Sequence, residues 1–277
     1  MREPYARYLQ LLGFDQAPRG VEGLRQLVRR HVIRVPFENI SKLLLIRRER
    51  RGRPTTLSEY LDGLERHDLG GTCYTSNPFF AELLRELRYD ADLLGCDMTR
   101  VNVHTAIRVR VDGSAYHVDV GYGGPFYEPL LLTDSPHEMK QGPYRYVLDR
   151  ARDGRLAMNV FRGEERVHGY LVNEIPRERE FFTSIILDSF RPAATFLTQL
   201  CVFRYFEDHA VQLQNNVAVH YRAGESGETR IGSMKQIREI FENQLRLPRC
   251  PVEKAIETLE QLTGQDFFAM GEGDLYV

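Results

Sequence analysis

The chain has 277 residues, a formal net charge of −2 and 42% hydrophobic residues. This length is enough for one large domain, or for two to three small domains packed together, with a sizeable hydrophobic core. Because the charges are nearly balanced, the composition gives no electrostatic reason to expect a nucleic acid or an acidic membrane surface as a partner.

The N-terminus and the cysteines predict a soluble cytoplasmic protein with reduced thiols. The first residues carry charges where a signal peptide would begin its apolar region, and no stretch is long enough to span a bilayer. The four cysteines stand far apart and form no CxxC pair. The sequence therefore predicts neither a disulfide framework nor a metal site.

The N-terminal third is predicted to be helical up to about residue 90. Apolar residues share one face over residues 5–12 and another over residues 21–32, before Pro36 stops the second helix. A third helix starts after a threonine N-cap near residue 56, and a fourth follows Cys73. The dense basic run at residues 46–54 is interpreted as a solvated loop, with phosphate binding as the alternative.

From about residue 91 the apolar period changes from helical to alternating, which is typical of strands. The predicted strands cover residues 101–111, 115–120, 144–148, 156–161 and 167–172. Several short strands in succession indicate an antiparallel sheet or barrel. A connecting helix at 178–190, strands at 196–206 and 211–221, and a helical end from residue 234 complete a predicted α+β fold.

Cys73 follows a glycine pair and opens the fourth predicted helix. Free N–H groups and the helix dipole favour an anion at a helix N-terminus, so this position favours a thiolate. Gly70 and Gly71 allow backbone angles closed to other residues and leave room for a substrate to approach the sulfur. Cys73 is therefore a candidate nucleophile, and the alternative is a small buried hydrophobic residue after a tight turn.

His104 and Asp119 lie on the two arms of a hairpin predicted around the Asp-Gly pair at residues 112–113. A two-residue loop pairs Val111 with Ser114 and makes His104 and Asp119 diagonal neighbours on one face. A three-residue loop would send the two side chains to opposite faces. The proximity of the imidazole and the carboxylate therefore depends on the turn.

These residues form a candidate Cys-His-Asp triad. A carboxylate beside an imidazole fixes its tautomer, and the other ring nitrogen can take a thiol proton. His117 is a competing candidate, because it flanks the same turn and shares the face of Asp119 in a regular strand.

The chain resembles the arylamine N-acetyltransferases in four segments, which occur in that family's order. They are residues 35–40, 70–77, 103–106 and 118–123. The first is similar to the PFEN segment, the second to the RGGxCxExN nucleophile motif, and the other two to the histidine strand and the D-V-G-[FY]-G aspartate segment. Pro192 and Phe196 are similar to a further pocket segment, so the resemblance spans nearly the whole chain.

The resemblance implies three domains and a papain-like Cys-His-Asp site. A helical domain over residues 1–90 would carry the nucleophile, a β-barrel domain over 91–190 the His and Asp, and 191–277 would form an α/β lid. The triad is expected where the first two domains meet.

The resemblance also implies ping-pong acetyl transfer from acetyl-CoA to an arylamine, hydrazine or N-hydroxyarylamine. In that scheme Cys73 attacks the thioester, His104 relays the proton and Asp119 orients His104. The partners are then coenzyme A and a small aromatic amine or hydrazine, with no nucleic acid or membrane involved.

Five further positions take roles from the same resemblance. Phe37, Tyr122 and Phe196 are expected to line an aromatic acceptor pocket. Gly123 and Gly124 are expected to lie near the entrance for CoA.

Four positions depart from the family pattern. Leu11 and Leu69 stand where the family has arginines, Thr75 stands where it has a glutamate, and Cys96 stands where a basic residue is common. The arginines and the glutamate form a buried network in the family. Loss of one of these charges leaves its partner buried and unpaired, which destabilises the fold. Replacement of the whole set by apolar or neutral residues can leave the stability nearly unchanged. We therefore expect the fold and triad to survive with altered pocket dynamics or substrate choice.

Two other functions are compatible with the same sequence. The same site could make amide bonds on a larger acyl chain or hydrolyse an acyl compound, because the triad activates the nucleophile in the same way. The chain could also be a non-catalytic binding protein on this scaffold.

Overall fold

The computed structural model describes residues 1–134 and 136–271. The helices in this part of the chain are α1 (Glu3–Leu11), α2 (Gly20–Arg34), α3 (Ile40–Glu49), α4 (Leu57–His67), α5 (Cys73–Glu86), α6 (Thr183–Asp188), α7 (Thr195–Thr198), α8 (Met234–Glu239) and α9 (Val252–Thr263). A π-helical turn, Ile240–Gln244, continues α8. Among the helices that the structure describes, none is long and apolar enough to cross a membrane.

The strands are β1 (Phe37–Glu38), β2 (Asp90–Asp97), β3 (His104–Val111), β4 (Ser114–Val118), β5 (Leu130–Leu131), β6 (His137–Gln141), β7 (Tyr144–Arg150), β8 (Leu156–Arg162), β9 (Glu165–Pro176), β10 (Cys201–Tyr205), β11 (His209–Gln214), β12 (Val217–Arg222) and β13 (Glu225–Arg230).

The chain divides into two compact units, and each is built from two separate stretches of sequence. The first unit comprises Met1–Arg34 and Cys73–Phe182, and the second comprises Val35–Thr72 and Thr183–Val277. The three-domain division at residues 1–90, 91–190 and 191–277 stays a prediction.

The first unit is built on an eight-stranded antiparallel sheet in the order β5-β4-β3-β2-β9-β8-β7-β6, which nearly closes into a barrel. Alternate residues of β7, such as Tyr144, Tyr146 and Leu148, are buried. This is the period of two that half-buried strands require. The predicted α+β class with an antiparallel barrel is thereby confirmed.

Helix α5 packs on β2 and β3, and it buries a row of aromatic and leucine side chains. On its other flank His31 of α2 meets the Phe80 ring edge to face, with 4.9 Å between the ring centroids. His31 is completely buried. The N-terminal helices thus cover α5, which carries Cys73 at its first position.

The second unit contains a five-stranded antiparallel sheet in the order β1-β10-β11-β12-β13. Helices α3 and α9 pack against each other. The apolar side chains of this unit form one buried cluster that includes Leu69, Val202, Leu213, Phe241 and Leu259.

The interpretation of the basic run as a loop is wrong for its first part. Helix α3 continues through this run to Glu49, and Arg50 ends it with a left-handed φ of 57°. Helix formation there is favoured because Arg47 and Arg48 keep their charges on the surface, where they pair with acidic side chains of the same unit. Arg53 lies between Glu49 and Glu59, at 2.6 Å from a carboxylate oxygen of each.

Two predicted strands in the C-terminal part also differ from the structure. Residues 211–221 form two strands, because Asn215 adopts a left-handed φ of 46° and turns the chain. Residues 195–198 form α7, and the strand predicted from residue 196 begins only at Cys201. The buried Asn39 side chain donates to the carbonyl oxygens of Phe196 and Gln199 and accepts from the Cys201 N–H. These long-range bonds hold the segment in a shape that local periodicity does not encode.

Candidate active site

Cys73 is the first residue of α5, as predicted, and it is buried with 6% of its surface exposed. Thr105 donates a hydrogen bond from Oγ1 to the Cys73 carbonyl oxygen at 2.8 Å. Gly121 also packs on it so closely that a Cβ added to the glycine would lie 2.7 Å from the Cys73 Cα. The backbone that carries the sulfur is therefore held from two sides, at the positive end of the helix dipole.

The predicted hairpin is present as β3 and β4. Val111 pairs with Ser114, which confirms the two-residue loop. The two residues between them have φ angles of 52° and 78°. Positive φ at both positions is typical of the mirror-image turn whose twist suits a two-residue hairpin. His104 is the first residue of β3, and Asp119 directly follows β4.

This hairpin brings His104 and Asp119 together, with 2.7 Å between Nε2 and Oδ2, and both side chains are buried. Nδ1 is then the ring nitrogen left for the Cys73 sulfur. Burial opposes a charge on His104, but the charges of Asp119 and Cys73 and hydrogen bonds with both raise the pKa of His104 to about 10. The surroundings therefore favour an imidazolium next to the cysteine.

Asp119 accepts four hydrogen bonds. The His104 ring and the Tyr170 hydroxyl, at 2.8 Å, donate to Oδ2. Asn77 Nδ2, at 2.8 Å, and the Gly121 N–H, at 3.1 Å, donate to Oδ1. Burial opposes the charge of Asp119, but His104 and these donors outweigh it and hold the pKa of the carboxyl below its usual range.

Asn77 ties together the three segments of the site. It lies one helical turn after Cys73 on α5, where it faces the same way. Besides Asp119, its Nδ2 donates to the Thr105 carbonyl oxygen, and its Oδ1 accepts from the Val120 N–H at 2.9 Å. The side chain thus joins α5 to β3 and to the segment after β4.

His117, the competing histidine, is bound elsewhere. Its Nε2 lies 2.9 Å from the Tyr170 hydroxyl, and the ring is buried. Burial lowers the pKa of His117 to about 4. Asp119 is thus bound to His104 directly and to His117 only through Tyr170.

Tyr122 packs edge to face on the His104 ring, at 5.5 Å between centroids, and its hydroxyl lies 2.5 Å from Nδ1 of His168. The glycines after it make a tight turn, because Gly123 has a φ of 75° and a Cβ on Gly124 would lie 2.6 Å from the Phe126 ring. The rings of Tyr122, Phe126 and His168 form one aromatic cluster with His104 in the first unit.

Phe37 and Phe196 belong to the second unit. Their rings meet edge to face at 5.9 Å between centroids, and Phe37 also stacks on Phe203 at 5.3 Å. Phe37 and Phe196, two of the three residues predicted to line an aromatic acceptor pocket, are therefore neighbours.

The positions that depart from the family pattern lie in different surroundings. Leu69 is buried in the apolar cluster of the second unit, whereas Leu11 and Thr75 are half-buried in the first. Glu38 remains as a buried carboxyl that accepts from the N–H groups of Gly70 and Ser41. Burial raises the pKa of Glu38 above its usual value despite these bonds.

Cys96 is completely buried and lies opposite His104 in the pairing of β2 with β3. Burial raises the pKa of the Cys96 thiol well above its usual value, and the negative charges of Asp119 and Cys73 add to this effect. These surroundings are typical of an inert thiol.

Asn77, Gly121 and Tyr170 make contacts in the site that were not predicted from the sequence. The first could have been noticed from its spacing, since a residue four positions after Cys73 shares its helical face. Gly121 stood in a recognised segment, but its need for close approach to Cys73 is a tertiary feature. Tyr170 lies 51 residues from Asp119 in the chain and gave no local signal.

Residues 20–249 match the N-acetyltransferase family. Among curated proteins, the chain is 27% identical to the pineal gland isozyme of arylamine N-acetyltransferase from Gallus gallus over 143 residues, which are 46% of each chain. It is 37% identical to proansamycin X synthase from Amycolatopsis mediterranei over 86 residues, 28% of this chain and 33% of that one. The chain thus spans less than half the length of each of these two relatives.

The fold is shared with solved structures over nearly the whole chain. The arylamine N-acetyltransferase of Mycobacterium marinum, solved in complex with CoA, superimposes on this chain with a TM-score of 0.78 at 20% sequence identity. The superposition covers 94% of this chain and 99% of the Mycobacterium marinum chain. The family match covers most of the residues that build both units. The chain therefore belongs to the N-acetyltransferase family, the family of the arylamine N-acetyltransferases.

Proposed function

We propose that this protein is an acetyl-CoA-dependent N-acetyltransferase that acts on arylamines, hydrazines or N-hydroxyarylamines through an acetyl-cysteine intermediate. The observation that carries the proposal is the buried 2.7 Å contact between His104 and Asp119, on the hairpin against which α5 packs with Cys73 at its start. Membership of the family supports the reaction type. The Mycobacterium marinum relative in complex with CoA supports a CoA thioester as the donor.

In the first half-reaction the Cys73 thiol gives its proton to Nδ1 of His104. The sulfur forms a bond to the acetyl carbonyl carbon, and the bond from that carbon to the CoA sulfur breaks. His104 then returns the proton to the departing CoA sulfur. Asp119 keeps Nε2 protonated and stabilises the imidazolium while the proton is held there.

In the second half-reaction the acceptor nitrogen attacks the acetyl-cysteine carbonyl carbon. His104 takes a proton from that nitrogen, the carbon–sulfur bond to Cys73 breaks, and the thiolate returns beside the imidazolium. The raised pKa of His104, about 10, fits its task of holding this proton while the sulfur leaves.

The other residues that the family resemblance singled out are proposed to contact the two substrates. We assign Phe37, Tyr122 and Phe196 to contacts with the aromatic acceptor. Gly123 and Gly124 are assigned to the backbone near CoA, because a glycine turn lets a ligand approach closely.

The test is a set of acceptors offered together with acetyl-CoA, with release of free CoA as the readout. Release that depends on an aromatic amine or hydrazine, and that is lost in Cys73→Ala, supports the transferase. Release at the same rate without any amine would instead indicate hydrolysis. Failure of the wild-type protein to release CoA in every mixture would contradict acetyl transfer and favour a different acyl chain or a binding role.

A further inference from the structure

A buried glutamine continues a row of aromatic side chains on one face of the five-stranded sheet. Phe37 of β1 pairs with Phe203 of β10, and Phe203 pairs in turn with Gln212 of β11. Residues that pair directly across antiparallel strands point to the same face, about 5 Å from each other. Phe37, Phe203 and Gln212 therefore stand side by side in the second unit.

The aromatic part of this row is a surface on which a flat ring can stack. The rings of Phe37 and Phe203 are stacked with 19° between their planes, and Phe196 meets Phe37 edge to face. Phenylalanine rings bind another ring by stacking or edge contact, but they offer no polar atom that fixes its orientation. The polar side chain that follows them in the row is Gln212.

The Gln212 amide has one polar atom in a hydrogen bond and one without. Its Nε2 donates to the Tyr205 hydroxyl at 3.1 Å, whereas Oε1 has no hydrogen-bond partner in the part of the chain that the structure describes. The side chain is only 1% exposed, and its neighbour on β12 is the apolar Val219. Since an unpaired buried oxygen destabilises a fold, this atom calls for a donor from outside the described residues.

We propose that Gln212 is a specificity-determining residue, and that its Oε1 accepts a hydrogen bond from a hydroxyl or N–H group on the ring of the acceptor. The preferred acceptors are then arylamines or arylhydrazines with a second, hydrogen-bond-donating substituent, such as aminophenols. A substituent on a ring bound at Phe203 reaches the next position of the row, because adjacent strands are only about 4.8 Å apart. This inference rests on the proposed function, which places the acceptor ring against Phe37 and Phe196.

The experiment compares 4-aminophenol with 4-methylaniline as acceptors for preformed acetyl-enzyme. The methyl group has nearly the size of the hydroxyl group but donates no hydrogen bond. Each amine keeps its intrinsic reactivity with every protein, so a change in the ratio of the two second-order rate constants between proteins measures the contact with the side chain. The pair 3-aminophenol and 3-methylaniline repeats the comparison with the donor at another ring position.

Gln212→Met should lower the preference for the hydroxyl compound in at least one pair by about tenfold, the size of one hydrogen bond between neutral groups. Methionine keeps the length of the side chain without the amide. Gln212→Glu, which retains an oxygen acceptor, should keep the wild-type preference. Gln212→Leu, which also lacks the acceptor, decides the question if Gln212→Met does not fold.

Gln141→Met is the matched control. Both polar atoms of the Gln141 amide are also buried without a hydrogen-bond partner among the described residues, but Gln141 belongs to β6 of the first unit and not to this row. The control should show the wild-type ratio in both pairs. An equal fall in Gln141→Met would mean that the loss of any buried amide has this effect, and it would overturn the inference.

Ratios that stay unmoved in Gln212→Met would also overturn the inference, and they would indicate that water alone supplies the missing bond. A fall of both rate constants by one factor would leave Gln212 only a packing role. Wild-type protein that forms no acetyl-enzyme would contradict the proposed function, and the inference would fail with it. Normal acetylation with unmoved ratios would contradict only the inference.

Discussion

Gly121 and Cys73 approach so closely that the glycine has no room for a side chain. A Cβ at position 121 would lie 2.7 Å from the Cα of Cys73 and 2.8 Å from Nδ2 of Asn77. Both distances are shorter than carbon contacts in folded proteins normally allow. The backbone after Asp119 and the start of α5 are thus fitted to each other without a gap.

We therefore expect Gly121→Ala to displace Cys73 or Asn77 and to lower kcat by about tenfold or more, since small misplacements in a site have effects of this size. The matched control is Gly227→Ala in β13, where an added Cβ meets nothing within 4 Å. Acetyl transfer rates of both variants are compared with their melting temperatures. Wild-type kcat in Gly121→Ala would show that the close contact has no functional role.

Asp119→Asn should remove most of the activity while keeping the shape of the site. An amide at this position reverses the hydrogen bond to His104 and favours the wrong ring tautomer. The loss expected in kcat/KM is on the order of 10³ to 10⁴, as the charge partner of a catalytic histidine contributes in hydrolases. Steady-state kinetics with one arylamine would measure it, and a loss of less than about tenfold would argue against Asp119 as the partner of His104.

Stability should fall on mild acidification because the buried His31 and His117 and the half-buried His168 are held in the neutral form. Burial lowers the pKa of His31 to about 3 and those of His117 and His168 to about 4. In the unfolded chain a histidine has a pKa of about 6.5, so the unfolded state takes up protons first as the pH falls. The stabilisation is complete above that value, and each histidine removes about 1.4 kcal/mol per pH unit below it, until its folded pKa is reached.

Urea unfolding of the wild type and of His31→Leu, at about pH 7.5 and about pH 5.5, measures this effect. Leucine has a similar volume and no proton to gain. The variant should lose less unfolding free energy between the two conditions than the wild type does. Equal losses would mean that His31 is not excluded from protonation in the folded state.

Leu69→Arg should destabilise the protein strongly, although the family has an arginine at this position. Leu69 is 7% exposed and packs in the apolar cluster with Ile40 and Leu43. A guanidinium there must lose its hydration or force the cluster open, at several kcal/mol. Leu69→Met, which conserves the volume, is the control. A melting temperature in Leu69→Arg equal to the wild type would contradict this view and indicate that Glu38 can accept the charge.

The parts of the molecule that local chemistry encodes could be predicted from the sequence. The start of α5 at Cys73 followed from a glycine pair before an amphipathic pattern, and the β3–β4 hairpin followed from Asp-Gly between alternating runs. The neighbourhood of His104 and Asp119 followed from that turn. Each of these signals spans only a few residues of one element and its turn.

The parts that depend on distant contacts could not be predicted in this way. Tyr170 reaches Asp119 from β9, and Asn39 shapes residues 195–201 across about 160 positions of sequence. Helix α3 was missed because its leucine run and basic end gave no clean period of 3.6. The register of the hairpin brings His104 and Asp119 together, and it could be predicted from the turn. The side chains that hold these two residues in position come from elements distant in sequence, which no local pattern connects.

The most direct measurement is the intact mass of the protein after brief mixing with acetyl-CoA in the absence of any amine. We expect one added acetyl group on the wild type, none on Cys73→Ala, and loss of the group when an arylamine is added. The Cys96→Ala protein, which lacks the other thiol near His104, should still be acetylated once. An unmodified wild-type protein, or an acetyl group that persists on Cys73→Ala, would contradict the proposal that Cys73 carries the acetyl group.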